Sequence, residues 1–135
     1  MSMTNKNINP ISLRIPTKAY SQGVIIPCGD TNLLFVTGQL PQNIDGKIIH
    51  VGDPEAQTRL VFSRIADILQ EASMSFDDVV KLQIYVKNIS YAKTVSAVRN
   101  ELFSTSKPAS TLVEVSGFVK DDCCLEIDAV AAKKI

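Results

Sequence analysis

Between Asp53 and Ala72 the chain carries one long apolar stripe. Ala56, Leu60, Val61, Ile65, Ile68, Leu69 and Ala72 recur at three- and four-residue spacing, which places them on one side of an α-helix. Gln57, Arg64, Asp67 and Glu71 read as the opposing polar side. Asp53-Pro54 marks the start, since aspartate caps a first turn and proline tolerates the first helical position. The period then changes to two. Val80, Leu82, Ile84 and Val86 alternate with Lys81, Gln83, Tyr85 and Lys87, as in a half-buried strand. A second helical stripe, Ala92, Val95, Val98 and Leu102, follows, with Ser90 as its expected cap. A chain with these switches of period must cover a sheet with only two helices.

The remaining segments supply that sheet. Gly23 to Ile26 and Leu33 to Thr37 are short β-rich runs separated by the turn signal Gly29-Asp30-Thr31-Asn32. Asp45-Gly46 is a second hairpin signal, with Lys47 to Val51 as the expected return strand. Pro108 marks the entry to a strand in which Thr111, Val113 and Val115 share one face and Ser110, Leu112 and Glu114 the other. In the last strand Leu125, Ile127 and Ala129 stand opposite Cys124, Glu126 and Asp128. One face of each strand is apolar enough to take helices. The order ββ(β)αβαββ defines an α+β fold, and two helices cover one face of such a sheet. The other face, with Leu112, Tyr85 and Cys124 among charges, is too apolar for bare solvent and points to a subunit interface. Residues 1–15 have no period and read as an N-terminal arm that docks late or stays mobile; 16–135 read as a single domain.

Composition narrows the partners. At 135 residues the chain buries a real core as one domain. Fourteen basic and fourteen acidic residues give zero net charge without a basic cluster, so nucleic acid is not an expected partner. No window of 18 apolar residues is present, and the polar start from Met1 to Asn9 lacks a signal-peptide core, so a cytoplasmic protein is expected. Cys28, Cys123 and Cys124 form no Cys-x-x-Cys pair, and His50 is the one histidine, read as a solvent-facing or satisfied residue at a strand end. Neither metal nor nucleotide cofactor is expected, since no ligand cluster, phosphate loop or Gly-x-Gly-x-x-Gly is present. Cys123 and Cys124 read as reduced thiols, because a bond between neighbours strains the backbone.

Four motifs in order carry a resemblance: Ala19-Tyr20-Ser21-Gln22-Gly23, Val36-Thr37-Gly38-Gln39-Leu40-Pro41, Lys107-Pro108-Ala109-Ser110-Thr111-Leu112-Val113-Glu114-Val115, and Leu125-Glu126-Ile127-Asp128-Ala129. From about Pro16 to Ala132 the chain resembles the Rid family of reactive-intermediate deaminases, also called YjgF-like or endoribonuclease L-PSP. The resemblance implies a chorismate-mutase-like sheet with two helices on one face. It also implies a homotrimer with intersubunit clefts and hydrolysis of small enamines or imines of the 2-aminoacrylate or 2-iminobutanoate type. It assigns Glu126 to the catalytic water, leaves Asp128 structural, and gives Tyr20, Thr37 and Gly38 to substrate binding. Read from the residues alone, Glu126 is a solvated or ion-paired strand carboxylate. Tyr20 is then an interface aromatic, and Gly38 a strand bend.

One position departs from the family pattern. Where deaminating members read Pro-Ala-Arg, this chain reads Pro108-Ala109-Ser110. In the family that arginine grips the substrate carboxylate with two charge-assisted hydrogen bonds; serine offers one neutral bond. The difference amounts to about 2–3 kcal/mol, or roughly 30- to 150-fold in binding. Arg14, in the arm, and Arg99, on the second helix and expected to face solvent, are the nearby substitutes. The asparagine common on that helix in active relatives falls on Ser96 or Val95, with Asn100 out of phase. Three functions follow: a hydrolase with altered carboxylate recognition, a non-catalytic trimeric binding or regulatory module, or a ribonuclease or translation inhibitor, which nothing basic in the chain supports.

Overall fold

The computed structural model describes residues 4–135. Six strands form one sheet: β1 (Lys6–Ile8), β2 (Gly23–Cys28), β3 (Thr31–Gln39), β4 (Val79–Val86), β5 (Ala109–Glu114) and β6 (Leu125–Lys134). Their spatial order is β1-β2-β3-β6-β4-β5. All neighbours run antiparallel except β4 and β5, which are parallel and joined by a helical crossover. Two helices, α1 (Pro54–Glu71) and α2 (Ala92–Leu102), lie side by side on one face. The α+β architecture expected from the periods is the architecture found.

Asp53 caps α1 by accepting a hydrogen bond from Ala56 N at 3.0 Å, and Pro54 occupies the first turn. Val61, Phe62, Ile65 and Leu69 of α1 are fully buried with Leu34, Leu82, Ile84 and Ile127 of the sheet. Phe62, Phe76 and Phe103 pack ring against ring, with centroids 4.7 to 6.4 Å apart.

Several local expectations are corrected. Gln57 and Arg64, read as the polar side of α1, are 0% and 4% exposed. Each lies beside the apolar stripe and is held by hydrogen bonds: Gln57 accepts from Cys124 N and donates to Ile49 O and Asp122 O. The cap before α2 is Asn88, whose side chain accepts from Ser90 N and starts a 3-10 turn at Ile89–Tyr91. The return strand at Lys47–Val51 reduces to one bridge between Gln42 and Ile48. Residues 6–15 of the N-terminal arm are docked: β1 pairs with β2, and Ile8 and Leu13 are buried. A register shift between Val79 and Lys81 inserts an extra residue, so Val80 stands 48% exposed instead of sharing the face of Leu82.

The two faces of β5 are the reverse of the expected ones. Register pairs Leu82 with Ser110 and Ile84 with Leu112, so these side chains share the helix side, and Leu112 packs on the core. Tyr85 pairs with Val113 and with Glu126, which places all three on the open face. Cys124 is buried in the core. Of the three residues expected on the open face, Tyr85 remains there, joined by Val113 and Phe35, which are 40% and 45% exposed. On a short edge strand with Leu112 on one side and Val113 on the other, alternation alone does not choose the buried side.

Candidate functional site

Glu126 is the second residue of β6 and faces away from the helices. Opposite it, the β3 ladder breaks: Val36 pairs with Ala129 but Gln39 pairs with Ile127, so two residues of β3, Thr37 and Gly38, lie against one of β6, Asp128. This bulge carries Thr37 and Gly38. It brings Gly38 so close to Glu126 that a β-carbon at position 38 would overlap Oε2 and crowd the carboxylate carbon. The glycine therefore admits the carboxylate of its own chain, a reason that the sequence reading did not contain.

Tyr20, Thr37, Gly38 and Glu126 line one cavity of about 490 Å³, together with Arg14 and Lys120 at its rim. Tyr20 is 57% exposed. The Thr37 amide donates to Gln22 O at 2.9 Å and its hydroxyl to Ser21 O at 2.6 Å, so Thr37 shapes the wall with both donors already engaged. Glu126 also borders a shallower depression with Tyr85 and Phe118. Its carboxylate receives no hydrogen bond from the described residues. Burial holds its pKa above the usual glutamate value, and the neighbouring Asp128 adds to the rise. Asp128 is raised by burial too, but it accepts a hydrogen bond from Tyr85 Oη at 3.2 Å, which with Lys81 opposes the shift. One carboxylate is thus tied down and the other is free.

Beneath the cavity lies a buried polar relay. Arg64 Nε donates to Gln39 Oε1 at 3.2 Å; Gln39 Nε2 donates to Gln22 Oε1 at 2.9 Å; Gln22 Nε2 donates to Arg14 O at 3.0 Å. Gln22 N closes the chain onto Asn9 Oδ1. These contacts fix the bulge and the docked arm against α1. Gln22 and Gln39 sat inside the quoted motifs, and their uncharged polarity between apolar strands was the available signal. Lys120 was not singled out; its Nζ donates to Gln42 Oε1 at 2.7 Å and to Gly46 O.

Ser110 lies elsewhere. It lines a second cavity, of about 530 Å³, on the helix side of β5 with Arg99, Asn100 and Lys107. Arg99 Nη1 donates to Ser110 Oγ at 3.0 Å, so the arginine expected to face solvent instead reaches across to the strand. Within one protomer Glu126 and Ser110 are on opposite faces of the sheet. Among the described residues, no group of three or more His, Cys, Asp or Glu converges as a metal site, and no helix is long and apolar enough to cross a membrane. The three cysteines are free, and His50 is exposed.

An α+β fold with one open sheet face and a carboxylate set against a strand bulge is the class of protein this chain forms, and comparison gives the class its name. The profile of the endoribonuclease L-PSP family matches residues 12–133, and the chain belongs to this family, the Rid or YjgF-like proteins. A RutC family protein of Pyrococcus abyssi is 38% identical over 119 residues, covering 88% of this chain and 90% of the relative. A protein of Acinetobacter baylyi named 3-aminoacrylate deaminase RutC is 37% identical over 100 residues, or 74% of this chain and 79% of the relative. The crystal structure of YyfA from Yersinia pestis, a Rid family protein of unknown function, superposes with a TM-score of 0.84 at 29% identity, covering 95% of this chain and 98% of that one.

Proposed function

We propose that the protein is a cytoplasmic, cofactor-independent hydrolase of small enamines and imines of the 2-aminoacrylate or 2-iminobutanoate type. It acts as a homotrimer whose clefts lie between subunits. The observation that carries this reading is the Glu126 carboxylate, without a hydrogen bond from the described residues, raised in pKa and set against Gly38 in a cavity wall. A general base needs such placement, with a pKa lifted toward the working pH and lone pairs left open for a water. The Acinetobacter relative's name supports deamination as the reaction class.

In the proposed reaction the imine carbon is already electrophilic. Glu126 takes a proton from a water as its oxygen adds to that carbon. It returns that proton to the nitrogen, giving a carbinolamine. It then takes the carbinolamine hydroxyl proton and passes it to the nitrogen as the C=O bond forms and the C–N bond breaks, giving a 2-oxo acid and ammonia. An enamine enters the same path after tautomerising to the imine. Tyr20, Thr37 and Gly38 shape the pocket for the ligand. The intersubunit cleft is supported by the separation of Glu126 from Ser110 on opposite faces and by the exposed Tyr85, Phe35 and Val113. No basic surface favours RNA as substrate.

The test is ammonia release from freshly generated 2-iminobutanoate, with light scattering on the same sample. The expected result is turnover by a particle of three times 14.7 kDa, lost in Glu126→Gln. Equal turnover by Glu126→Gln, or a monomer at micromolar concentration, overturns the proposal. Ligand binding without turnover moves the reading to a non-catalytic binding module.

A further inference from the structure

We infer that Arg99 is the substrate-carboxylate anchor of this chain, reaching from α2 to the place left open by Ser110. The inference rests on the proposed function for its substrate class and on the helix-side cavity for its geometry. Arg99 makes three hydrogen bonds, all to neutral oxygens: Nη1 to Ser110 Oγ at 3.0 Å, and Nε and Nη2 to Asn100 Oδ1 at 3.3 and 3.0 Å. A guanidinium has five N–H groups. The three used leave one N–H on each terminal nitrogen without a partner in these bonds, two charged donors of the kind a carboxylate accepts. Among the described residues Arg99 forms no ion pair, in contrast to Arg59, which is neutralised by Glu55 and Glu101. The cavity around it adds Lys107 and the hydroxyls of Ser104 and Ser110, and no acidic side chain. Such a lining selects a small anion.

Ser110 and Asn100 hold the guanidinium from both sides, so its position is set before ligand arrives. That preorganisation is what serine contributes here: it is a positioning residue, and the charge comes from the helix. The Glu126 cavity has cations of its own in Arg14 and Lys120. Both face carbonyl oxygens of the turn at Asp45 and Gly46, with Lys120 bound to Gln42 as well. Because Arg99 and Glu126 lie on opposite faces, the anchor serves a Glu126 of another copy, and the site is incomplete in a single protomer.

The test measures binding of 2-oxobutanoate, a stable carboxylate, and of butan-2-one, its neutral counterpart, by NMR titration of the full chain. Arg99→Ala weakens 2-oxobutanoate by about 30-fold and leaves butan-2-one unchanged, Arg99→Lys falls between, and Arg14→Ala stays within about 3-fold. Arg99→Ala with Ser110→Arg restores binding by returning a guanidinium from the strand. Unchanged 2-oxobutanoate binding in Arg99→Ala, a loss in Arg14→Ala instead, or no binding by the unaltered protein overturns the inference. Mixing Glu126→Gln with Arg99→Ala subunits tests the shared site. Recovered turnover in the hybrids supports it, and no recovery from two variants that still form trimers overturns it. If the unaltered protein binds through Arg99 but releases no ammonia, the hydrolase reading fails and the anchor stands.

Discussion

Gly38 and Glu126 are in direct contact across the β3–β6 bulge, and the carboxylate occupies the space where any other residue would place its β-carbon. The atom that would be struck is the far end of a flexible side chain, so relief is cheap for the fold and costly for the site. Gly38→Ala is expected to shift the thermal midpoint by no more than about 2 °C. It should lower kcat/KM on 2-iminobutanoate by about 30-fold or more, because the base is displaced by roughly an ångström. Paired melting curves and steady-state rates check both halves. A variant that keeps full activity would show that Glu126 does not work from this position.

In the proposed hydrolase, the direction of the Glu126 shift sets the acid side of the pH profile. Burial and Asp128 raise its pKa above the ordinary 4.5, so the base is lost to protonation earlier on acidification than a free glutamate would be. kcat/KM is expected to fall as pH drops through this raised value, with an apparent pKa above 4.5. Replacing Asp128 by Asn should move that limb to lower pH, because one of the two causes of the rise is removed.

The same groups affect stability with the opposite apparent benefit. Both carboxyls have folded pKa values above their unfolded ones, so in that window the native state binds more protons than the unfolded chain. Stability contributed by these groups therefore declines as pH rises through the window and levels off above it. Urea midpoints between pH 4 and 7 should show this decline, and Glu126→Gln should flatten it. A Glu126→Gln curve parallel to that of the parent protein would count against the raised pKa.

Thiol chemistry offers an independent check of the packing. Burial, with the charge of Glu126 as the second cause, pushes the Cys123 thiol up to about 11, and burial raises Cys124 too. Cys28 is exposed. A disulfide reagent at pH 8 should modify Cys28 alone in the native protein and all three thiols in urea. Rapid native labelling of Cys123 would mean that the loop before β6 opens.

Arg64 anchors the relay beneath the cavity, and its loss should be felt in the fold. Arg64→Met removes the donors to Gln39 Oε1 and Gln42 O. It should cost about 1–3 kcal/mol in urea unfolding by leaving buried acceptors unpaired, less whatever is regained by removing a buried charge.

The legible part of this protein was periodic. The stripe of α1, the alternation from Leu82 to Val86 and the facing of Leu125, Ile127 and Ala129 all place residues where the structure has them. Where a buried position is polar, the pattern misled: Gln57 and Arg64 sit in the core because specific acceptors and donors wait for them, and no period encodes a partner 22 or more residues away. Where both faces are apolar, as on β5, burial depends on which side α2 lands. Tyr20, Thr37, Gly38 and Glu126 came together from motifs alone. The reach of Arg99 to Ser110 did not, since it depends on how a helix docks beside an edge strand.

A sheet with Glu126 on one surface and the Arg99–Ser110 pair on the other keeps two kinds of change apart. On the proposed reading, substitutions that alter which molecule is gripped fall among the side chains of β5 and α2, whereas the bulge that seats Glu126 lies in β3 and β6. On that reading a lineage can exchange one anchoring residue for another, or lose it altogether, without disturbing the Glu126 carboxylate. For a protein engineer the proposal implies that libraries at positions 99, 100, 107 and 110 vary ligand choice while the Glu126 face stays unaltered.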